Sequence, residues 1–184
     1  MSAGSLVKVA RAWQLVLPEN AALTSLTAAE LSGWWLPQRI PHPIFVSVPI
    51  GDRYPERKGL FVCRHPRAIQ TTSIGGLTVT TGADTLLAAA RDLGLLDLVI
   101  MGDSALRLGH CTMEDLQSAA ASRRRGAPRL RTVLPLLDDR SESAWESIMR
   151  LLHIQADVAV EPRRRYTTRG ADSSPVRIWL IGTR

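Results

Sequence analysis

The chain has 184 residues, 45% of them hydrophobic, with a formal net charge of +6. That length allows one domain or two small ones with a real core. No apolar run reaches the ~18 residues of a membrane span, and the start, MSAGSLVKVARAW, lacks a signal peptide's long apolar segment, so a cytoplasmic protein is expected.

In chain order, residues 1–20 form a short amphipathic piece ending at Pro18. Thr27 to Glu30 has the spacing of a capping box, which predicts a helix from there to about Trp35, ended by Pro37. Ile44 to Pro49 predicts a strand, with Phe45 and Ser47 on one face and Val46 and Val48 on the other. A second strand, Leu60 to Arg64, is expected to pair with it as a hairpin whose polar tip holds Asp52, Arg53, Arg57 and Lys58. Gly76 to Thr81 predicts another strand.

Asp84 is the expected N-cap of a helix through Leu93, with Leu86, Leu87 and Ala90 on one face. Leu95 to Arg107 predicts a largely buried helix. Thr112 to Asp115 opens the next, with Leu116, Ala119 and Ala120 inward, and Arg123, Arg124 and Arg125 end it. Cations at a helix C-terminus suit its dipole, so the triple arginine has a structural reading beside a functional one. Arg129 to Leu137 predicts a further helix, bent or ended by Pro135.

Ser143 to Glu146 is another capping-box spacing. Trp145, Ile148, Met149 and Leu152 then follow at helical intervals as one apolar stripe. Glu146 lies four residues before Arg150, so an ion pair between them is expected. Strands are expected at residues 158–160 and 176–181. Helix, strand, turn, strand is how a restriction-endonuclease-like core opens, and Glu146 would be its helix carboxylate. Such a core holds a divalent metal with clustered acids, yet the last strand, VRIWL, has none.

Of the 23 basic residues, 21 are arginine. Clustered guanidiniums suit phosphate, because each planar fork donates two hydrogen bonds at once. Arg123, Arg124, Arg125, Arg129 and Arg131 are expected as one phosphate-facing patch, and Arg163, Arg164 and Arg165 as a second. Cys63 and Cys111 share no CxxC spacing and are expected as buried free thiols, and none of the four histidines forms an HxxxH or HExxH pattern.

The succession TAAELSGWWLP, IFVSVP, GLFVCRHP, GLTVTTGADTLLAAARDL, VIMGDSALRLGHCTMEDL and RSESAWESIMRLL resembles a bacterial family of AbiEi-like antitoxin-domain proteins of type IV toxin–antitoxin systems. Many of its members are fused to a Vsr-like endonuclease domain. The resemblance covers about residues 22–184. It implies an α+β fold: residues 1–21 as an N-terminal remnant or arm, 22–139 as the antitoxin-like domain, and 140–184 as a truncated nuclease-like segment. Relatives begin with a winged helix, of which residues 5–18 would be the trailing edge. They also carry Arg-Thr-Leu-x-Asp where this chain has Asp84-Thr85-Leu86-Leu87-Ala88, so that charged pair is lost.

Glu146 matches the family's helix glutamate, but Arg177 stands where its strand aspartate belongs, and the family's acidic strand would fall beyond Arg184, so an incomplete nuclease core is expected. Glu146 is therefore expected to be vestigial. The resemblance implies a non-catalytic DNA-binding or partner-binding protein without a cofactor. Its partners would be DNA, a cognate toxin or another protein, and unpaired C-terminal strands would allow self-association. The alternatives are a Mg²⁺-dependent endonuclease drawing on Glu146 with Asp157, Glu161 or Asp172 or with acids of a second subunit, and a remnant without a retained role.

Overall fold

The computed structural model describes residues 3–36, 43–65 and 69–156. The elements are α1 (Ala3–Gln14), β1 (Ala22–Leu23), α2 (Ser25–Leu31), β2 (Ile44–Pro49), β3 (Leu60–His65), β4 (Thr71–Ile74), β5 (Leu77–Thr80), α3 (Gly82–Ala89), α4 (Leu95–Arg107), α5 (Met113–Ala121), α6 (Ala127–Val133), a 3-10 turn (Leu134–Leu136) and α7 (Ala144–Gln155). This is the α+β class. Among the described residues no helix is long and apolar enough to cross a membrane.

The five strands lie in the order β3-β2-β1-β5-β4. β2 and β3 run parallel, Ile44 opposite Leu60 and Pro49 opposite His65, so the expected hairpin is a crossover. Residues 50–59 are the return path rather than a hairpin tip, with Arg53, Arg57 and Lys58 exposed along it. Arg64 holds its start, donating to the carbonyls of Ile50 and Asp52 and lying over the Tyr54 ring. The real hairpin is β4–β5, turned by Gly75 and Gly76, both at positive φ. Glycine occupies that region without the Cβ penalty.

The predicted two faces of β2 are present. Ile44, Val46 and Val48 join Leu23, Leu77 and Val79 in a core closed by Leu6 and Ala10 of α1 and Ala28 of α2. On the other face the Phe45 and Phe61 rings meet, 5.2 Å between centroids. Ser47 and Cys63 sit opposite each other there, both buried, and the Ser47 hydroxyl has no hydrogen-bond partner.

A second core is helical. Leu86, Leu87, Leu98, Met101, Leu116, Leu130 and Val133 bring together α3, α4, α5 and α6, with Trp34 added from the segment after α2. Trp34 Nε1 donates to His110 Nδ1 at 2.7 Å. α2 starts earlier than the capping-box spacing predicts. Thr27 lies inside it, and its hydroxyl accepts from Phe45 N at 2.9 Å, joining the helix to the sheet.

α7 packs the face opposite to the one expected. Ser147 is buried and Leu151 reaches the helical core, whereas Trp145 is 74% exposed and Met149 and Leu152 are exposed too. The reason lies in α4. Asp103 there is fully buried and accepts from Ser147 Oγ at 2.6 Å, from an Arg150 guanidinium nitrogen at 2.6 Å and from Asp138 N at 2.7 Å. A buried carboxylate needs such partners. The pair expected between Arg150 and Glu146 gives way to this one.

Candidate nucleic-acid interface

The basic corner lies between α5 and α6. Thr112 and Asp115 cap α5 reciprocally, as their spacing predicts. The chain leaves α5 after Ala121 and turns through residues 122–126 to Gly126, which stands at φ 90° as the N-cap of α6. A side chain at Gly126 would run into the Leu87 carbonyl, and its Cβ would lie 3.4 Å from Arg91 Cγ. The turn is thus pressed against the C-terminal end of α3.

This packing divides the expected patch. Arg123 and Arg125 are exposed, with no hydrogen-bond or ion-pair partner among the described residues. Arg124 is half-buried and pairs with Asp84 in the first turn of α3. Arg129 is exposed but donates to Leu93 O at 2.6 Å, and Arg131 donates to the Ala120 carbonyl at the end of α5. Arg123, Arg125, Arg129 and Arg131, all exposed, can therefore present guanidinium donors to a phosphate backbone. Arg124 and Arg131 hold the corner together. Arg163, Arg164 and Arg165 lie outside the described residues.

Two groups that the sequence reading missed stand beside this corner. Arg91 follows α3, and its positive charge acts on the Cys63 thiol. His65 ends β3 and lies within the field of Arg124, Asp84 and Arg91. Asp84 lies in the first turn of α3 and Arg91 two residues beyond its end, and no spacing in the sequence links either to His65.

Burial, together with Arg124 and Arg91, holds His65 below its usual 6.5, against the opposing pull of Asp84. The folded state thus disfavours the imidazolium. Its contribution to stability is full above pH 6.5 and is lost as pH falls through the folded-state pKa. Urea unfolding from pH ~7.5 to ~5 should show a loss of stability that His65→Gln reduces. Equal pH slopes in the two proteins would refute it.

Neither thiol is poised as a nucleophile. Burial pushes Cys63 up despite Arg91, and pushes Cys111 up to about 12. The thiolate, the reactive form, is disfavoured at both.

Glu146 does cap work. Its carboxylate accepts from Glu142 N at 2.7 Å, while Ser143 Oγ accepts from Glu146 N at 3.3 Å. Burial raises its pKa against the pull of Ser143 and of Arg107. Among the described residues no group of three or more His, Cys, Asp or Glu could hold a metal ion. Those residues do not fit the divalent site of the nuclease alternative. Asp157, Glu161, Asp172, Arg177 and the two expected terminal strands lie outside the described residues.

No family model matches the chain. It is similar to two curated Mycobacterium tuberculosis proteins, uncharacterized protein Rv2248 of strain H37Rv and uncharacterized protein MT2308 of strain CDC 1551. Each is 33% identical over 99 residues, which is 53% of this chain and 36% of the relative. The match thus spans about a third of the length of those relatives. The crystal structure of the RV2827C protein from M. tuberculosis shares the fold, with a TM-score of 0.51 at 20% identity over 77% of this chain and 55% of that one.

Proposed function

We propose that this chain is a non-catalytic, antitoxin-like module of the cytoplasm that binds duplex DNA through the corner between α5 and α6. The observation that carries the reading is the exposure of Arg123 and Arg125 on the turn and of Arg129 on α6, with the turn held by Gly126, by the Arg124–Asp84 pair and by the Arg131 contact. A net charge of +6 supports it, since counterion release on phosphate contact favours such a surface. The resemblance to AbiEi-like antitoxins agrees with it, and the use of Glu146 in a helix cap favours it over the endonuclease alternative. A cognate toxin is the other partner that resemblance implies.

A gel shift with duplex DNA at ~50 mM salt tests the proposal. The protein should bind. Arg123→Glu with Arg125→Glu should weaken binding at least ~10-fold and lower the slope of log K against log salt by about 2, near one unit per lost phosphate contact. Failure to bind any duplex at that salt sinks it.

A further inference from the structure

α7 has two contact faces. Its inner side meets α4 and the helical core through Ser147, Arg150 and Leu151. Its outer side carries Trp145, Met149, Leu152 and Ala156, all exposed. Their spacing of four, three and four residues is that of a coiled-coil seam, which lines side chains up along one stripe of a helix. Trp145 is 74% exposed, Leu152 53% and Met149 41%.

Three properties match this stripe to a copy of itself. The first is charge. The chain carries +6, so identical chains repel over most of their surface. The ionisable side chains of residues 144–156 are Glu146, Arg150 and His153, and none takes a seam position. Glu146 closes the helix cap, Arg150 turns inward to Asp103, and His153 Nδ1 lies 2.6 Å from the Met149 carbonyl. A second copy therefore meets no like charge along the stripe.

The second property is shape. The bulkiest residue, Trp145, stands at one end of the stripe and the smallest, Ala156, at the other. Laid antiparallel about a two-fold axis, Trp145 covers the partner's Ala156, and Met149 meets the partner's Leu152. The same register sets Glu146 opposite the partner's His153. Laid parallel, indole would meet indole while the two alanines faced each other across a gap. An antiparallel contact of this kind is isologous and closes at two copies.

The third property is area. The four side chains leave roughly 400 Å² of mainly apolar surface per copy. Two copies remove about 800 Å², and the flanking Ile148, His153 and Gln155 carry the total toward the ~1,000 Å² at which a specific contact begins.

We propose that this face of α7 is a dimerisation surface, on which two copies of the chain pair antiparallel through Trp145, Met149, Leu152 and Ala156. An area this small makes a weak, reversible dimer. The contact stands apart from the DNA-binding reading, because it uses no arginine of the α5–α6 corner.

Sedimentation equilibrium of the full chain without DNA, from ~1 to ~500 μM, should show a monomer–dimer equilibrium with a Kd of about 10–100 μM. Met149→Lys with Leu152→Lys sets like charges face to face and should raise that Kd at least ~10-fold. Both side chains are exposed, so the melting midpoint of the dilute monomer should stay where it was. Disulfide trapping reads the register. Chains carrying Met149→Cys and chains carrying Leu152→Cys, mixed in a glutathione redox buffer, should cross-link to each other in preference to their own kind. Cys63 and Cys111 are buried and stay out of that reaction.

A chain that remains monomeric throughout overturns the proposal and leaves the face to another occupant. So does a dimer that survives the lysine pair, or one that Ile178→Asp with Leu180→Asp abolishes instead. Trapping in which each cysteine variant prefers its own kind overturns it as well.

Discussion

Asp103→Ala is expected to destabilise the protein by about 3–5 kcal/mol, because it leaves the Arg150 guanidinium in the interior without its counter-charge. Asp103 has no exposed side-chain surface, and that of Arg150 is 16% exposed, so water cannot replace the lost partner. Ser147 Oγ and Asp138 N lose their acceptor as well, and unmet buried donors add their own cost. For a domain of this size the melting midpoint should fall roughly 6–20 °C. Asp103→Ala combined with Arg150→Met should recover most of the loss, since a buried ion pair is often replaceable by apolar groups of similar volume.

The outcome also decides how residues 140–184 relate to what precedes them. If α7 belongs to an independent nuclease-like unit, cutting its tie to α4 should shift the midpoint by no more than a surface change does. If α7 is part of the helical core, the whole transition should move.

The second large effect is expected at Gly126. Gly126→Ala places a Cβ at φ 90°, which costs roughly 1–2 kcal/mol in the left-handed region. It also drives that Cβ into the Leu87 carbonyl, and relief of such overpacking typically costs a further ~1–3 kcal/mol. A total of about 2–5 kcal/mol should appear in denaturant unfolding. The turn cannot stay against α3 unless α3 yields, so Arg123, Arg124 and Arg125 should be displaced with it. In the surviving folded fraction DNA affinity should drop at ~50 mM salt although no arginine has been removed. A folded Gly126→Ala protein with unchanged affinity would show that the turn does not place the basic corner.

What the sequence made legible was local. Leu95 to Arg107 forms the helix its periodicity predicts, and Thr112 and Asp115 cap α5 at the spacing that a reciprocal cap requires. The faces of β2 follow from simple alternation. Features set by distant partners were not legible. Thr27 has a cap's spacing, but its hydroxyl accepts from Phe45 N, eighteen residues on. Arg150 sits four residues from Glu146 and yet pairs with Asp103, forty-seven residues back.

That pairing turns α7, so Trp145, Met149 and Leu152 of the apolar stripe that read as the buried side face outward, while its fourth member, Ile148, is half-buried. The parallel pairing of β2 and β3 was hidden because a ten-residue connection suits a hairpin as well as a return crossover. In the candidate site, the arginine run was visible as composition. Which guanidiniums point outward depended on Asp84, Leu93 and Ala120, residues that no spacing rule links to it.

The two-residue strand β1 has a consequence for the order in which the molecule assembles. Everything from α3 to the 3-10 turn is contiguous in sequence, so the helical core can form from short loops. The sheet cannot, because among the described residues its halves, β3-β2 and β5-β4, meet only through Ala22 and Leu23, and Leu23 must find Val79 across more than fifty residues. Closing such a loop is slow compared with helix contacts. The sheet is therefore the late-forming part, and its centre is a joint of two residues whose amides report, by hydrogen exchange, when the two halves part.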